Sequence, residues 1–352
     1  MNSWRPFAFV ISANPCESHR IPLICCLGWL ESERCSTDGT MGDRTSRAKV
    51  SVALVGVGPT WELYYRDAIQ SLSSKLAVKA VCDSVQIRAM AVAEEFEAAS
   101  LTCAWQLTQR TDLHAWLILD PGWFGIYPAE LAVRHRRPAL FTNPFCAPLP
   151  KLLNVLERSV NNDESLMPEF PQRFTPSTTR LRELAATKLG RVQRIEVTVP
   201  VSAVDAKTIA DWMMQNQSEF IGVIDWCSCL IGDQVETVTT GHPSQFELHF
   251  SRRPSQPKAS AIIHFQIGSG PIHRQIDCEQ GTVTISSPTQ IVWQAGAEHV
   301  EEQLSHERSP YEIILDQFCR RALGGLVPVP TVQQAINAIN AAQKARQGTL
   351  DS

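Results

Sequence analysis

The chain has 352 residues, 44% hydrophobic and 19% charged, with a formal net charge of −4. That balance describes a globular protein of about two domains and argues against a disordered or membrane-spanning chain. The negative charge, with no basic stripe interleaved by aromatics, argues against a nucleic-acid binder that works by phosphate neutralisation, so pairs such as Arg252 and Arg253 read as a solvated face.

Residues 1–40 do not resemble the rest of the chain. They hold Cys16, Cys25, Cys26 and Cys35, four of the eleven cysteines, and an apolar run over 21–30 that Pro22 interrupts. The run is too short for a bilayer, which needs about 20 residues, and it matches a signal peptide poorly. Met41 reads as the natural start, and residues 1–40 as a misassigned or disordered extension. The other seven cysteines are scattered, which suits free thiols in a reducing cytoplasm, and Cys227 and Cys229 fall inside a helical apolar pattern as core residues.

From Lys49 strands and helices alternate. VSVALV (50–55) is nearly continuous in apolar residues, as a strand buried on both faces would be. After the turn GVGPT, Trp61, Tyr64, Tyr65, Ala68, Ile69 and Leu72 recur at helical spacing and predict one buried face. A second strand over 76–82 ends at Asp83, and Ser84 is placed to cap a helix carrying Ile87, Met90 and Ala91. Further strands are predicted at 101–105, at 115–119 before Asp120 and Pro121, and at 139–142 before Asn143 and Pro144. The repeated order predicts a doubly wound parallel sheet.

In such a sheet the first turn places backbone amides at a helix N-terminus, which favours a pyrophosphate. Gly56 allows the tight turn, Gly58 lets phosphates approach, and Thr60 opens the helix. Asp83, 25 residues after Gly58, stands where an acid would accept the ribose hydroxyls. A carboxylate there repels a 2′-phosphate and Ser84 supplies no offsetting cation, so NAD is expected over NADP. The plainer reading of Asp83 is a strand end that caps the next helix. Trp61 stands at the third glycine position and Pro59 lacks an N–H, and both weaken the cradle.

Beyond this region, Arg173-Phe174-Thr175-Pro176 leads into a helix with Leu181, Leu184 and Ala185 inward, ended by Gly190 as a left-handed cap. Ile195, Val197, Val199 and Val201 alternate as in a strand covered on one face. A helix over 218–230 buries Phe220, Val223, Ile224, Cys227 and Leu230. Strands come next at 245–250, 259–267, 274–278 and 282–285, separated by Gly268, Gly270 and Gly281, as in an antiparallel sheet.

The stretches VALVGVG (52–58), AVCDS (80–84), TNPFCAPL (142–149), RFTPSTTRLRELAATKLGRV (173–192), IDWCSCLIG (224–232) and DQFCRRALGGLVPVPTVQQAINAI (316–339) together resemble the Gfo/Idh/MocA family of oxidoreductases, in order from about residue 48 to 348. The resemblance implies a Rossmann domain over 41–172 and a C-terminal α/β domain with an open, mostly antiparallel sheet over 173–352, through which a homo-oligomer would form. It implies NAD(P)-dependent hydride transfer to or from a sugar or polyol, with Gly56, Gly58, Thr60, Asp83, Ser84, Pro121, Asn143 and Pro144 near the cofactor. No metal ligand set, membrane or nucleic acid is expected.

The family's catalytic lysine, in its Glu-Lys-Pro segment, falls on Asn143, and the first aspartate and the histidine of its D-x-G-x-H-x-x-D motif fall on Ser218 and Gly222, while Asp225 matches the last aspartate. The family's usual histidine four residues after Pro121 falls on Gly125, beside Trp123 and Phe124, which would form an aromatic wall. Without those groups the acid–base assistance, typically about 100-fold to 10,000-fold, is lost. Three readings are open: an oxidoreductase with a rearranged site, in which Asp225, or less directly His242, Cys146 or Glu219, substitutes; a non-catalytic relative that keeps the fold, with or without the nucleotide, as a ligand sensor or assembly partner; or a family scaffold that has lost the cofactor as well, in line with Pro59 and Trp61. Asp225 otherwise reads as a helix residue anchoring its neighbours. His249, His264 and His273 show no metal-ligand spacing.

Overall fold

Strand β1 (Val50–Val55) is buried along almost its whole length because it lies at the centre of a parallel sheet. The computed structural model describes residues 49–142, 149–162, 165–242, 244–251, 258–305 and 307–351. The readings of residues 1–40, Met41, Asn143, Pro144 and Cys146 lie outside the described residues.

The first sheet has six strands in the order β3-β2-β1-β4-β5-β6, all parallel. They are β1, β2 (Leu76–Cys82), β3 (Ala99–Leu101), β4 (Ala115–Ile118), β5 (Ala139–Phe141) and β6 (Leu166–Pro168). Val52 and Leu54 face one side with α1 (Arg66–Ser71) and α2 (Gln86–Glu95); Ala53 and Val55 face the other with α3 (Tyr127–Arg134) and α4 (Leu149–Val160). A sheet packed on both faces selects this unbroken apolar pattern.

Four local expectations are corrected. The third strand lies at Ala99–Leu101, and 3-10 turns over Ala104–Gln109 take up the end of the stretch expected to be extended. Ala89, Val92 and Ala93 form the inward face of α2, while Ile87 and Met90 are exposed. Tyr64 is also largely exposed, its ring stacked on Tyr311 at 4.6 Å. Ser84 does not cap α2, whose first turn comes after Val85 with no side-chain cap bond.

The second sheet has eight strands in the order β14-β13-β12-β11-β7-β10-β9-β8, antiparallel except for β7 against β10. They are β7 (Val192–Val201), β8 (Val235–His242), β9 (Gln245–Phe250), β10 (Ser260–Ile267), β11 (His273–Cys278), β12 (Gly281–Ser287), β13 (Gln290–Ala295) and β14 (Glu298–Gln303). The inner face buries Ile195, Val197, Leu248, Ile263, Ile276 and Val283 under α5 (Pro176–Leu184), α6 (Ala206–Gln215), α7 (Gln217–Ile231) and α9 (Val332–Asp351). The alternate residues on the outer face include Glu196, Thr198, His264, Gln275 and Thr284.

The RFTP stretch has a clear local logic. Thr175 caps α5, its hydroxyl accepting the Thr178 N–H at 3.3 Å, and Pro176 fills the first helical position, where a missing N–H costs nothing. After the second sheet, α8 (Pro310–Ala322) returns to the first one, placing Ile314, Leu315 and Phe318 on the Val52 and Leu54 face.

Candidate functional site

The strand order reverses between β1 and β4, so these two neighbours open a crevice at their C-terminal ends. That brings the loop after β1 against the residues after β4. Gly56 turns at φ +80°, and a Cβ there would lie 1.7 Å from the Asp120 carbonyl oxygen, so only glycine fits. Gly58 is buried, and a Cβ on it would stand 3.1–3.2 Å from the Asp120 side chain.

The carboxylate of Asp120 caps the helical turn at Trp61, its Oδ2 accepting the Trp61 N–H at 3.1 Å. Asp83 is only 2% exposed, and both its oxygens are engaged. Oδ2 accepts the Val57 N–H at 2.9 Å; Oδ1 accepts the Val85 N–H at 2.7 Å and pairs with Arg88 at 3.0 Å. The plainer reading of Asp83 is therefore met in part: it ties the β1 loop to the start of the next helix. The expectation that no cation offsets it is corrected, because Arg88 supplies one from α2. Thr60 and Pro121 are half-buried and Ser84 is exposed. Trp61 and Tyr65 anchor the helix, with the buried Tyr65 hydroxyl donating to Glu169 at 2.7 Å; burial, then the Glu169 charge, raises its pKa well above the ordinary tyrosine value.

A dinucleotide's pyrophosphate needs free N–H groups at this turn and no competing anion. Here Val57 and Trp61 donate to the protein's own carboxylates, Pro59 has no N–H to give, and Asp120 brings a negative charge to the place a phosphate would take. At an effective dielectric constant of about 20, like unit charges about 4 Å apart repel by about 4 kcal/mol. These contacts compete with a pyrophosphate for the Val57 and Trp61 N–H groups of this turn.

The second group of expected site residues lies on α7. Asp225 is 1% exposed and held by Arg173 through two parallel hydrogen bonds, Nε to Oδ2 at 2.7 Å and Nη2 to Oδ1 at 2.5 Å. Arg173 Nη1 also donates to Gln334 Oε1 at 3.0 Å. Burial pushes the Asp225 carboxyl up and Arg173 opposes that pull, while the fork geometry is that of an ion pair. Asp225 is thus anchored, as its plainer reading had it. Gly222 is buried, and a Cβ there would meet Gln172 Nε2 at 3.3 Å. Ser218 lies half-buried in the first turn of α7.

The aromatic wall at Trp123 and Phe124 is corrected: Phe124 packs on the core, but Trp123 is 94% exposed. His242 pairs with Ser244 in a turn, Nδ1 to Oγ at 2.7 Å. Burial raises the Cys227 thiol to about 12, which leaves it a core residue. Among the described residues no cluster of three or more His, Cys, Asp or Glu side chains could hold a metal, and no helix is long and apolar enough to cross a membrane.

Sequence reasoning missed Asp120 and Arg274. The signal for Asp120 was available, since an acid just past β4 must face the glycine turn once β1 and β4 are neighbours. Arg274 gave none, because its value comes from burial beside a cavity in the folded chain.

No family model and no curated protein matches the sequence. Solved structures do match its fold. A Gfo/Idh/MocA family oxidoreductase from Vibrio cholerae superposes with a TM-score of 0.68 at 14% identity, over 86% of this chain and 99% of that one. A UDP-N-acetylglucosamine 3-dehydrogenase from Acidithiobacillus ferrooxidans gives 0.62 at 14%, over 86% and 98%. An oxidoreductase from Agrobacterium radiobacter, in complex with NAD+, L-tartaric acid and magnesium, gives 0.67 at 15%, over 86% and 97%. At these identities the likeness is one of fold: a parallel Rossmann-type sheet joined to a mixed, mostly antiparallel one, as in Gfo/Idh/MocA oxidoreductases.

Proposed function

We propose that this chain is a divergent relative of the Gfo/Idh/MocA oxidoreductases that binds a small carbohydrate-like ligand in its C-terminal domain and has given up the hydride chemistry of that fold. The observation that carries this reading is the Asp120 carboxylate on the Trp61 N–H, above the buried Gly58. The chain's own anion fills the role a cofactor phosphate would play. The α7 positions agree with it: Gly222 can neither donate nor accept a proton through a side chain, and Asp225 is committed to Arg173.

The second reading is an NAD(P)-dependent oxidoreductase with a rearranged site. It is favoured by the intact Gly56 turn and by Arg88, a half-exposed cation beside Asp83 that would suit a 2′-phosphate. Calorimetric titration with NADH and with NADPH separates the two. The first reading expects no saturable binding to the natural chain at millimolar nucleotide, and measurable binding once Asp120→Ser removes the competing charge. Tight binding to the natural chain, weakened by Asp83→Ala, would overturn it and restore NAD as the ligand.

The free buried thiols of Cys82, Cys227, Cys278 and Cys319 fit a reducing cytoplasm, and the outer face of the second sheet fits self-association. Light scattering of the purified chain tests the latter, with a monomer mass counting against it.

A further inference from the structure

Arg274 projects from β11 onto the inner, helix-covered face of the second sheet, beside Ile276 and opposite Val197. It lines a cavity of about 280 Å³ walled by Gln172 and Ser177 near the start of α5, Glu219 and Trp226 of α7, and Ser286 at the end of β12. Its guanidinium carbon lies 5.2 Å from the centre of the Trp226 ring. Its hydrogen bonds are long: Nη1 to the Ile272 carbonyl and Nη2 to Gln172 Oε1, both at 3.4 Å. The buried Nε has no partner. Among the described residues no carboxylate forms an ion pair with it.

A guanidinium keeps its charge in a protein, and an uncompensated buried charge is costly. Burial is also the first cause of a lowered pKa at Arg274, with the charge of Glu219 acting the other way. The structure bears that cost beside an open volume rather than against packed apolar atoms. A carboxylate can take two parallel bonds from the Nη1 and Nη2 groups, whose present contacts are long. The rest of the wall suits hydroxyl groups: the Ser286 hydroxyl, which donates to Gln290 Oε1 at 2.9 Å, can accept, and the exposed Glu219 carboxylate accepts only. Glu219 also disfavours a second negative charge near it, so the anion is oriented toward Arg274. The volume falls just under the roughly 300–1,000 Å³ of pockets that enclose drug-sized molecules, which favours a monosaccharide-sized ligand over a nucleotide.

We infer that this cavity is a binding site for a small polyhydroxy carboxylate, a sugar acid or hydroxy acid, whose carboxylate is received by Arg274. The inference rests on the reading that the C-terminal domain holds the ligand, and it narrows the ligand's class.

The test is calorimetry on the full natural chain with matched pairs, gluconate against sorbitol and tartrate against threitol. The expected result is at least tenfold tighter binding of the acid in one pair or both. Arg274→Met should abolish that binding, and Arg274→Lys, which keeps the charge but not the fork, should weaken it at least tenfold. An unchanged melting temperature of each variant separates lost binding from lost fold, and the acid-against-polyol comparison needs no variant. Equal binding of the neutral polyols would overturn the carboxylate assignment while leaving the ligand-binding reading intact. Binding of none of the four, together with tight NADH binding, would overturn both.

Discussion

Arg173 and Asp225 meet across the core as a two-pronged ion pair, 52 residues apart in sequence and almost wholly buried, joining the segment before α5 to the middle of α7. Breaking such a pair by removing one partner leaves an uncompensated charge and costs about 3–5 kcal/mol. Asp225→Ala should therefore lower the stability measured by urea unfolding by that amount. Asp225→Asn, which keeps one acceptor, should cost less. If either variant unfolds at the natural urea midpoint, Asp225 is not an anchor and the catalytic reading regains weight.

Gly56 allows a second prediction. Its φ of +80° and the overlap of any Cβ with the Asp120 carbonyl mean that Gly56→Ala must move one of the two central strand ends. The expected cost is about 3 kcal/mol or more, from backbone strain together with overpacking. Gly241→Ala, where nothing lies within 4 Å of the new Cβ, serves as the control and should cost little. Thermal melting of the two variants side by side makes the comparison.

Asp83 separates tethering from cofactor binding. In Asp83→Asn one oxygen becomes an amide that donates, and it would face either the Val57 N–H or the Val85 N–H, both donors themselves. Leaving one such group unmet costs about 1–3 kcal/mol. The variant should lose stability by this amount in the absence of any nucleotide, as read by denaturant unfolding. Unchanged stability would mean that the tether contributes nothing and that the carboxylate is kept for another purpose.

The acid limb of stability should depend on Asp316. Burial alone would raise its pKa, but Lys75 at 2.6 Å, with Arg320 at 2.9 Å and Arg308 at 3.8 Å, outweighs burial and holds it below the usual carboxylate value. A depressed folded-state pKa stabilises the fold above the unfolded carboxylate's pKa of about 3.9, and that contribution is lost as pH falls through the folded value. Urea midpoints followed from pH 6 to pH 3 should fall more steeply for the natural chain than for Asp316→Asn. Parallel slopes would exclude this contribution.

Much of the fold was legible in the sequence because the central strands are apolar without interruption and the glycines mark their ends. β1 and β2 fall where the pattern puts them, and RFTP encodes a cap, a first-turn proline and an ion-pair arginine in four residues. The misses have physical causes. β8 and β14 are edge strands in which exposed Thr, Glu and His dilute the alternation, and β13 comes after a short turn that breaks it. Ile87 and Met90 look like a core stripe, yet α2 turns small residues, Ala89 and Ala93, toward the sheet so that it can lie close. The site was legible as a list of positions and opaque as chemistry: whether Asp83 holds a ribose or a backbone depends on where Val57 points, and that is a tertiary fact.

The return of α8 to the first sheet bears on how the chain matures at the ribosome. The side of that sheet bearing Val52, Leu54 and Leu117 is closed by Ile314, Leu315 and Phe318, which are made some 200 residues or more after the strands they cover. A lobe that could otherwise fold as it emerges must wait, with part of its apolar surface uncovered, until α8 has been translated. Its nascent form is therefore a natural client for chaperones, and truncation before residue 310 should yield aggregated product rather than an independent Rossmann lobe.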